Sequence, residues 1–351
     1  MAKKILRMVF PRFPLANGTT SSEEGGSEIE MAQRVLTGIK PTGMPHIGNL
    51  LGMYRPALAM QDEAEGYFFV ASYHALTTMR DPALLREQTL DVAANWLALG
   101  LDPARSVIWA QHDVPEVTEL SWILACITSK GMMDKAHAFK DAVGKGREIN
   151  IGLYTYPILM AADILAFDSH VVPVGKDQKQ HVEMARDMAQ RFNHLFGETL
   201  VVPAPKIRED VATVPGLDGQ KMSKSYNNTI EIFLPPKKLR KKIMGIVTDS
   251  KGVDEAKDPD TCNVFGLYKL FATADQQAEL AARYRAGGLG YGHAKQALFE
   301  VIDSQLEAPR ERYNHLKANP DEVRSILADG AARARVTARD TLDRVRSAAG
   351  L

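Results

Sequence analysis

Short apolar runs alternate with longer amphipathic stretches over the first part of the chain. The short runs hold four or five residues between Gly, Pro and polar positions, as buried strands do. The longer stretches repeat their apolar residues every three or four positions, which is the spacing of a helix with one buried face. The strands predicted in this way are residues 35–38, 67–71, 106–110, 171–174 and 199–202. The predicted helices begin near Gly48 and then cover residues 84–99, 114–128, 153–167 and 178–196.

The order of these elements predicts an α/β fold, with a doubly wound Rossmann-like parallel sheet over residues 32–228. Ligands of such sheets bind at the carboxyl ends of the strands. After Asn228 the chain becomes charged, poor in strand patterns and rich in helical spacing, with a glycine cluster at residues 287–292. We therefore expect a smaller all-helical C-terminal domain over residues 229–351, whose last helix could pack back on the first domain.

Composition and charge narrow the class of protein. The chain has 351 residues, and Lys plus Arg and Asp plus Glu both total 43, so the formal net charge is zero. This balance argues against a protein coated with nucleic acid but allows a local basic patch. Cys126 and Cys262 fit no zinc or iron–sulfur spacing, so we expect no structural metal and a reducing, cytoplasmic location. No apolar run approaches the roughly 20 residues of a membrane span.

The first 31 residues differ from the rest of the chain. Basic residues without acidic ones come first, and four glutamates then follow among Gly and Ser. We interpret residues 1–31 as a disordered tail, or as the result of an upstream start codon with Met31 as the functional start. An organellar transit peptide remains a further interpretation, because such segments are basic and poor in acidic residues.

The first chemical motif is G-I-K-P-T-G-M-P-H-I-G-N, residues 38–49. A strand ends here, glycines and prolines form a loop, and a helix begins beside His46 and Asn49. Helix N-termini hold phosphate because their N–H groups are unpaired, and glycine at position 48 lets a nucleotide approach the backbone closely. Taken alone the motif is weak evidence, since a single histidine more often caps or packs.

The second motif is K-M-S-K-S, residues 221–225, in a polar loop. Two lysines around small hydroxyl residues can clamp the charge that develops on a transferring phosphate. A solvated basic loop is the usual explanation for such a pair. The presence of the first motif earlier in the chain favours the clamp.

Together these segments resemble a known family. H-I-G-N and K-M-S-K-S look like the two signature motifs of class I aminoacyl-tRNA synthetases. Residues 154–165, Y-T-Y-P-I-L-M-A-A-D-I-L, resemble the amino-acid-binding helix of bacterial tryptophanyl-tRNA synthetases. Residues 172–181, V-P-V-G-K-D-Q-K-Q-H, resemble the next segment of that family. The similarity runs from about Val35 to the C-terminus.

The resemblance implies an enzyme that activates L-tryptophan with ATP and Mg²⁺ and then transfers it to tRNA(Trp). The first step gives tryptophanyl-adenylate and pyrophosphate, and neither step needs a covalent enzyme intermediate. Residues 32–228 would then form the catalytic domain and residues 229–351 the anticodon-binding domain. A homodimer is also implied.

The same resemblance assigns roles to individual residues. Catalytic roles fall on His46, Asn49, Lys221 and Lys224. ATP contacts fall on Lys40, Pro41, Thr42, Gly48, Asn49, Gly175, Lys176, Asp177, Val214, Lys221, Met222, Ser223, Lys224 and Ser225. Tryptophan contacts fall on Asp163, Met160, Tyr156, His74, Gln178, Val172 and Val174. Asp163 would accept the indole N–H, whereas His74 and Gln178 would reach the ammonium or carboxylate end.

Three features of the sequence have no assigned role: two departures from the family pattern and one basic run. Lys40 stands where the commoner form of the first loop carries Gln, which puts the polar contacts of that loop in question. The additional loop lysine of the family has no clean counterpart, and neither Lys140 nor Lys145 is assigned to it. Five of residues 237–242 are Lys or Arg. This run fits a solvated helix face and a phosphate contact equally well.

Three other functions share part of this sequence pattern. A tyrosyl-tRNA synthetase shares the motifs and the chemistry, but Met160 and Asp163 place the acid differently from what a phenol would need. A nucleotidylyltransferase with the same sheet would not explain the helical domain. A non-catalytic paralogue that binds tRNA is disfavoured by the intact signature motifs.

Overall fold

The computed structural model describes residues 33–136, 140, 144, 150–175, 178–207 and 214–351. The predicted N-terminal tail lies outside the described residues, and so do Lys145, Lys176 and Asp177.

A five-stranded sheet forms the centre of the first part of the chain. Its strands are β1 (Arg34–Ile39), β2 (Glu65–Val70), β3 (Val107–Ala110), β4 (Val171–Val174) and β5 (Ala204–Ile207). Their order is β3-β2-β1-β4-β5, and every pairing is parallel. The chain adds strands first on one side of β1 and then on the other, so the winding direction changes between β1 and β4. This topology confirms the predicted doubly wound parallel sheet and opens a crevice at the carboxyl ends of these two strands.

The fifth strand was predicted at residues 199–202. This prediction was wrong, because the fifth strand of the sheet is β5, Ala204–Ile207. The backbone before β5 is bound by the side chain of Asn193. Its Nδ2 donates to the oxygen of Leu200 at 2.9 Å, and its Oδ1 accepts from the N–H groups of Thr199 and Leu200 at 3.1 and 2.9 Å. These groups are satisfied without a neighbouring strand, and Leu200 packs into the core instead.

Helices surround the sheet and make up the C-terminal part. The first is a continuous segment, α1, built from Ile47–Asn49, Leu50–Tyr54, Arg55–Ala59 and Met60–Asp62. The helices that follow before β5 are α2 (Ser72–Ala75), α3 (Pro82–Ala98), α4 (Glu116–Ile127), α5 (Lys130–Met133), α6 (Ile151–Leu165) and α7 (Lys179–Phe196). Those after it are α8 (Pro236–Met244), α9 (Asn263–Lys269), α10 (Ala274–Ala286), α11 (Tyr291–Ala318) and α12 (Pro320–Ala349). Across the described ranges, none of the helices combines the length and apolar character needed to cross a membrane.

The two faces of the sheet bury different apolar clusters. Phe68 and Val70 lie in one cluster, whereas the alternate residues Tyr67 and Phe69 lie in the other. This follows from the alternation of side chains along a strand. Because apolar clusters cover both faces of the sheet, we expect the polar side chains that bind ligands at the strand ends.

The last helix, α12, returns to the sheet and packs on β3. A Cβ at Gly330 would lie 1.8 Å from the backbone oxygen of Ile108, so only glycine permits this approach. Next to this contact, buried Glu116 accepts hydrogen bonds from Arg335 and Arg339 of α12 at 2.9 and 2.8 Å. Burial acts to raise the pKa of Glu116, but the hydrogen bonds from its own backbone and from both guanidinium groups lower it overall.

Candidate active site

The loop after β1 leads into α1 at the carboxyl end of the sheet. The backbone N–H of His46 donates to Asn49 Oδ1 at 3.1 Å, which fixes the turn where the helix begins. A Cβ at Gly48 would lie 2.9 Å from His46 Cε1 and 3.7 Å from Met222 Cβ. Glycine at this position therefore lets the imidazole fold against the helix start and lets the second motif come close. Pro41 is buried, whereas Thr42 is exposed.

The second motif is held in a compact loop by a buried asparagine. Asn228 Oδ1 accepts from the N–H of Ser223 at 2.8 Å, and its Nδ2 donates to Asp218 Oδ1 at 2.7 Å. Met222 is buried, and its N–H donates to the oxygen of Val214 at 2.8 Å. The loop is thus anchored at its apolar residue, while Lys221 and Ser225 stay exposed. Nothing in the sequence alone indicated the part played by Asn228.

The two motifs meet in the structure. Lys224 Nζ donates to the backbone oxygen of Thr42 at 2.8 Å. His46 is only 8 % exposed, and its Nδ1 has no hydrogen-bond partner within the described ranges. Burial and the nearby charge of Lys224 lower the pKa of His46 to about 4, although Glu231 acts in the opposite direction. Near neutral pH the site therefore presents a neutral imidazole beside an ammonium group.

A buried carboxylate lies beside the residues that follow β2 and β3. Asp163 is 2 % exposed, and its Oδ2 lies 2.7 Å from His74 Nε2. Gln111 Nε2 lies 2.8 Å from both oxygens of the same carboxylate. These bonds offset the cost of burying the charge. A carboxylate has about four acceptor positions, so Oδ1 keeps one that no described residue uses.

Gln111 was missed by the sequence analysis. It follows β3 directly, and its Oε1 accepts from the N–H groups of Tyr73 and His74 at 2.9 and 3.4 Å. These bonds orient the amide so that its NH₂ faces Asp163. The available signal was a polar residue at the carboxyl end of a buried strand, which is where ligand-binding side chains of such sheets lie.

His74 lies beside Asp163 and Tyr156. Its bond to Asp163 places it beside the acid expected to bind indole, and its ring stands edge-on to that of Tyr156 with centroids 6.1 Å apart. The hydroxyl of Tyr156 lies 2.6 Å from His181 Nε2. Burial raises the pKa of Tyr156 to about 12, so the phenol stays neutral. The three rings and Asp163 form one connected group on the side of the crevice made by α6.

Several further candidate residues lie on β4, on α6 and outside these two elements. Val172 and Val174 are buried on the same face of β4, and Met160 is half-buried on α6. Gln178 precedes α7, and its N–H donates to the oxygen of Gly175 at 3.0 Å. Lys40 Nζ reaches Thr77 Oγ1 at 3.3 Å. Lys140 is exposed.

The arrangement places two kinds of chemistry at the carboxyl end of the sheet. The side with His46 and Lys224 suits the phosphates of a nucleotide, because it offers a helix start and an ammonium group. The side with Asp163 suits an apolar ring that carries one hydrogen-bond donor. Throughout the described residues there is no group of three His, Cys, Asp or Glu side chains that could hold a metal ion.

Comparison with known proteins places the chain among the tRNA synthetases. The family described as class I tRNA synthetases for tryptophan and tyrosine (W and Y) matches residues 29–307. The tryptophan–tRNA ligase of Rhodopirellula baltica is 51% identical over 318 residues, covering 91% of this chain and 99% of that protein. The tryptophan–tRNA ligase of Pseudomonas aeruginosa is 49% identical over 334 residues, covering 92% of this chain and 74% of that protein.

A solved structure is also similar to this chain. The tryptophanyl-tRNA synthetase from Campylobacter jejuni, in a crystal structure with ADP and tryptophan, superposes with a TM-score of 0.87. The two sequences are 46% identical, and the match covers 91% of this chain and 100% of that one.

Proposed function

The chain belongs to the class I tRNA synthetases for tryptophan and tyrosine and is a tryptophan–tRNA ligase, and we propose that the crevice between β1 and β4 is its active site. The single observation that carries this assignment is the position of Asp163. It combines a buried carboxylate, an unused acceptor position and a place in the same crevice as the contact between Lys224 and Thr42. The resemblance found in the sequence is confirmed by the family match.

The proposed first step joins tryptophan to the nucleotide. The carboxylate of tryptophan attacks the α-phosphate of ATP, a mixed anhydride bond forms, and the bond to the β-phosphate breaks to release pyrophosphate. Lys221 and Lys224 offset the charge that grows on the departing pyrophosphate, and neutral His46 can donate a hydrogen bond to it. Mg²⁺, bound with ATP, supplies further positive charge at the phosphates. Lys176 and Asp177 remain predicted ATP contacts.

The proposed specificity rests on the indole N–H. This is the only hydrogen-bond donor of the ring, and Asp163 Oδ1 is the acceptor that we assign to it. His74 and Gln111 hold the carboxylate at a fixed angle, so a ring without a donor leaves the acceptor unpaired. Such a loss in a desolvated pocket costs about 1–3 kcal/mol.

The second step and its RNA partner involve the C-terminal part, which we propose as the anticodon-binding domain. The basic side of α8 is exposed at Lys237, Lys238, Arg240 and Lys241. Lys242 points elsewhere and pairs with Glu231 at 2.7 Å. We assign the exposed residues to contacts with the tRNA backbone. The 3′-terminal ribose hydroxyl of tRNA(Trp) then attacks the carbonyl of the adenylate, and AMP leaves.

We further propose that the enzyme works as a homodimer. The supporting observation is Trp122 on α4, a large apolar side chain that is 71 % exposed in the single chain. Tryptophan is enriched among the residues that contribute most to binding at protein interfaces. Light scattering of the parent protein and of Trp122→Ser tests this. The parent should have the mass of a dimer, and the variant should dissociate to monomers more readily.

Exchange of labelled pyrophosphate into ATP tests the main proposal. The purified protein should catalyse exchange with tryptophan and Mg²⁺, and not with tyrosine or without an amino acid. Charging of tRNA(Trp) should follow under the same conditions. Equal exchange with tyrosine would favour the tyrosyl enzyme, and tRNA binding without exchange would favour the non-catalytic paralogue.

A further inference from the structure

Thr77 lies between the two halves of the proposed active site. It follows α2 and is buried, and its hydroxyl takes part in two hydrogen bonds. Oγ1 donates to the backbone oxygen of His74 at 2.8 Å and accepts from Lys40 Nζ at 3.3 Å. A hydroxyl has one proton and two lone pairs, so both bonds can exist together. The carbonyl of His74 therefore orients the hydroxyl so that a lone pair faces Lys40.

The backbone of Thr77 makes a second connection to the tryptophan side. Its oxygen accepts from Asn150 Nδ2 at 3.0 Å, while Asn150 Oδ1 accepts from the N–H of Leu153 at 2.9 Å. Asn150 is thus the cap that begins α6, the helix that carries Asp163. Thr77 consequently contacts both elements that hold the buried acid: the segment of His74 and the start of α6.

Lys40 provides the connection to the nucleotide side. It follows β1 and begins the loop whose residue Thr42 is bound by Lys224. Lys40 is an exposed residue, but the bond brings its ammonium group against buried Thr77, and partial burial there lowers the pKa of Lys40. A nucleotide that orders this loop would also hold Lys40 against Thr77.

We infer that Thr77 is a positioning residue that couples the ATP loop to the tryptophan pocket, so that each substrate strengthens the binding of the other; this rests on the proposed function. The coupling arises because one ordered arrangement of Lys40, Thr77 and His74 serves both ligands. The substrate that binds first orders it, and the second substrate then binds with a smaller entropic cost. By linkage, the increase in affinity is the same in both directions.

Calorimetry with the full-length protein tests the inference. The Kd of tryptophan is measured without nucleotide and with saturating α,β-methylene-ATP and Mg²⁺, and the ratio of the two values is the coupling factor. The parent should bind tryptophan more tightly with the analogue. Thr77→Val keeps the shape but removes the hydroxyl, and should lower the coupling factor by about threefold or more. Thr77→Ser keeps the hydroxyl and should restore most of it.

Two further variants separate coupling from a general loss of structure. Thr89→Val is the matched control, because Thr89 is also buried and its hydroxyl also donates to a backbone oxygen, that of Leu85 at 2.7 Å. It should leave the coupling factor unchanged. Lys40→Met removes the same bond from its other end, so the test does not depend on Thr77→Val being stable. Combined with Thr77→Val, it should reduce the coupling little further than either change alone.

The results that overturn the inference are distinct from failure of the proposed function. A parental protein with no coupling, or equal coupling factors in the parent, Thr77→Val and Lys40→Met, would overturn it. The same holds if Thr77→Ser loses as much coupling as Thr77→Val, since the hydroxyl would then not be responsible. Absence of tryptophan-dependent pyrophosphate exchange in the parent would instead reject the proposed function itself.

Discussion

The Nζ atom of Lys224 lies 2.8 Å from the backbone oxygen of Thr42, and this bond joins residues that are 182 positions apart in the chain. It brings the ammonium group of the second motif to the loop that precedes His46. Phosphate oxygens of a bound nucleotide are stronger acceptors for an ammonium than a peptide oxygen is. We therefore expect Lys224 to exchange this contact for the phosphates when a nucleotide binds.

Lys224→Ala should slow pyrophosphate exchange on the order of 10²-fold, because the charge acts on the departing pyrophosphate. The Kd of tryptophan without nucleotide should change much less. Stopped-flow measurement of adenylate formation, together with calorimetry, distinguishes the two effects. Lys269→Ala is the control, since Lys269 lies on α9 at 3.6 Å from Asp260, in a solvent-exposed pair. An unchanged exchange rate in Lys224→Ala would remove this lysine from the mechanism.

Asp163→Ala should lower kcat/KM for tryptophan about 10- to 100-fold, with little change in the Kd of ATP. The loss reflects the missing acceptor and also the unpaired groups left on His74 and Gln111. Benzothiophene-alanine lacks the ring donor and should be a poor substrate of the parent. In Asp163→Ala its disadvantage against tryptophan should largely disappear. If the variant rejects this analogue as strongly as the parent does, Asp163 does not bind the indole N–H.

Stability should depend on the protonation of His46. Its pKa is about 4 in the folded protein, against an ordinary value near 6.5 in the unfolded chain. Between these values the unfolded state binds a proton that the folded state does not. The free energy of unfolding should therefore fall as the pH drops from about 6.5 towards 4.

Urea denaturation at pH 7 and pH 5 tests this by comparing the parent with His46→Asn. The parent should lose more stability between the two pH values than the variant, whose side chain does not titrate. Equal losses would show that His46 titrates normally in the folded state.

Glu116→Gln should lower the free energy of unfolding by about 1–2 kcal/mol, because two arginines of α12 lose their charged acceptor. Glu119 offers a matched control on the same helix. It pairs with Arg346 of α12 at 2.6 Å but is 42 % exposed, so Glu119→Gln should cost less than about 1 kcal/mol. Urea denaturation gives both values. A larger loss in Glu119→Gln would contradict the role given to burial at Glu116.

The sequence alone determined the fold class and the location of the loop and helix start that carry the first motif. The β4 strand was predicted with its observed bounds at residues 171–174. A short apolar run between polar positions is typical of a buried strand and too short for a helix. The start of α1 beside His46 was also predictable from residues close by in the chain, because glycine and proline end the strand and Asn49 caps the turn. Such features depend on neighbours in the chain, which a single sequence displays.

Only the tertiary structure decided which distant residues meet. Gln111 and Asp163 are 52 positions apart, and no spacing in the sequence connects them. The strand predicted at residues 199–202 failed for a related reason, because Asn193 binds the backbone at Thr199 and Leu200 through its side chain. A hydrogen bond between side chains of separate elements depends on how those elements pack, and periodicity records only which face of each is buried.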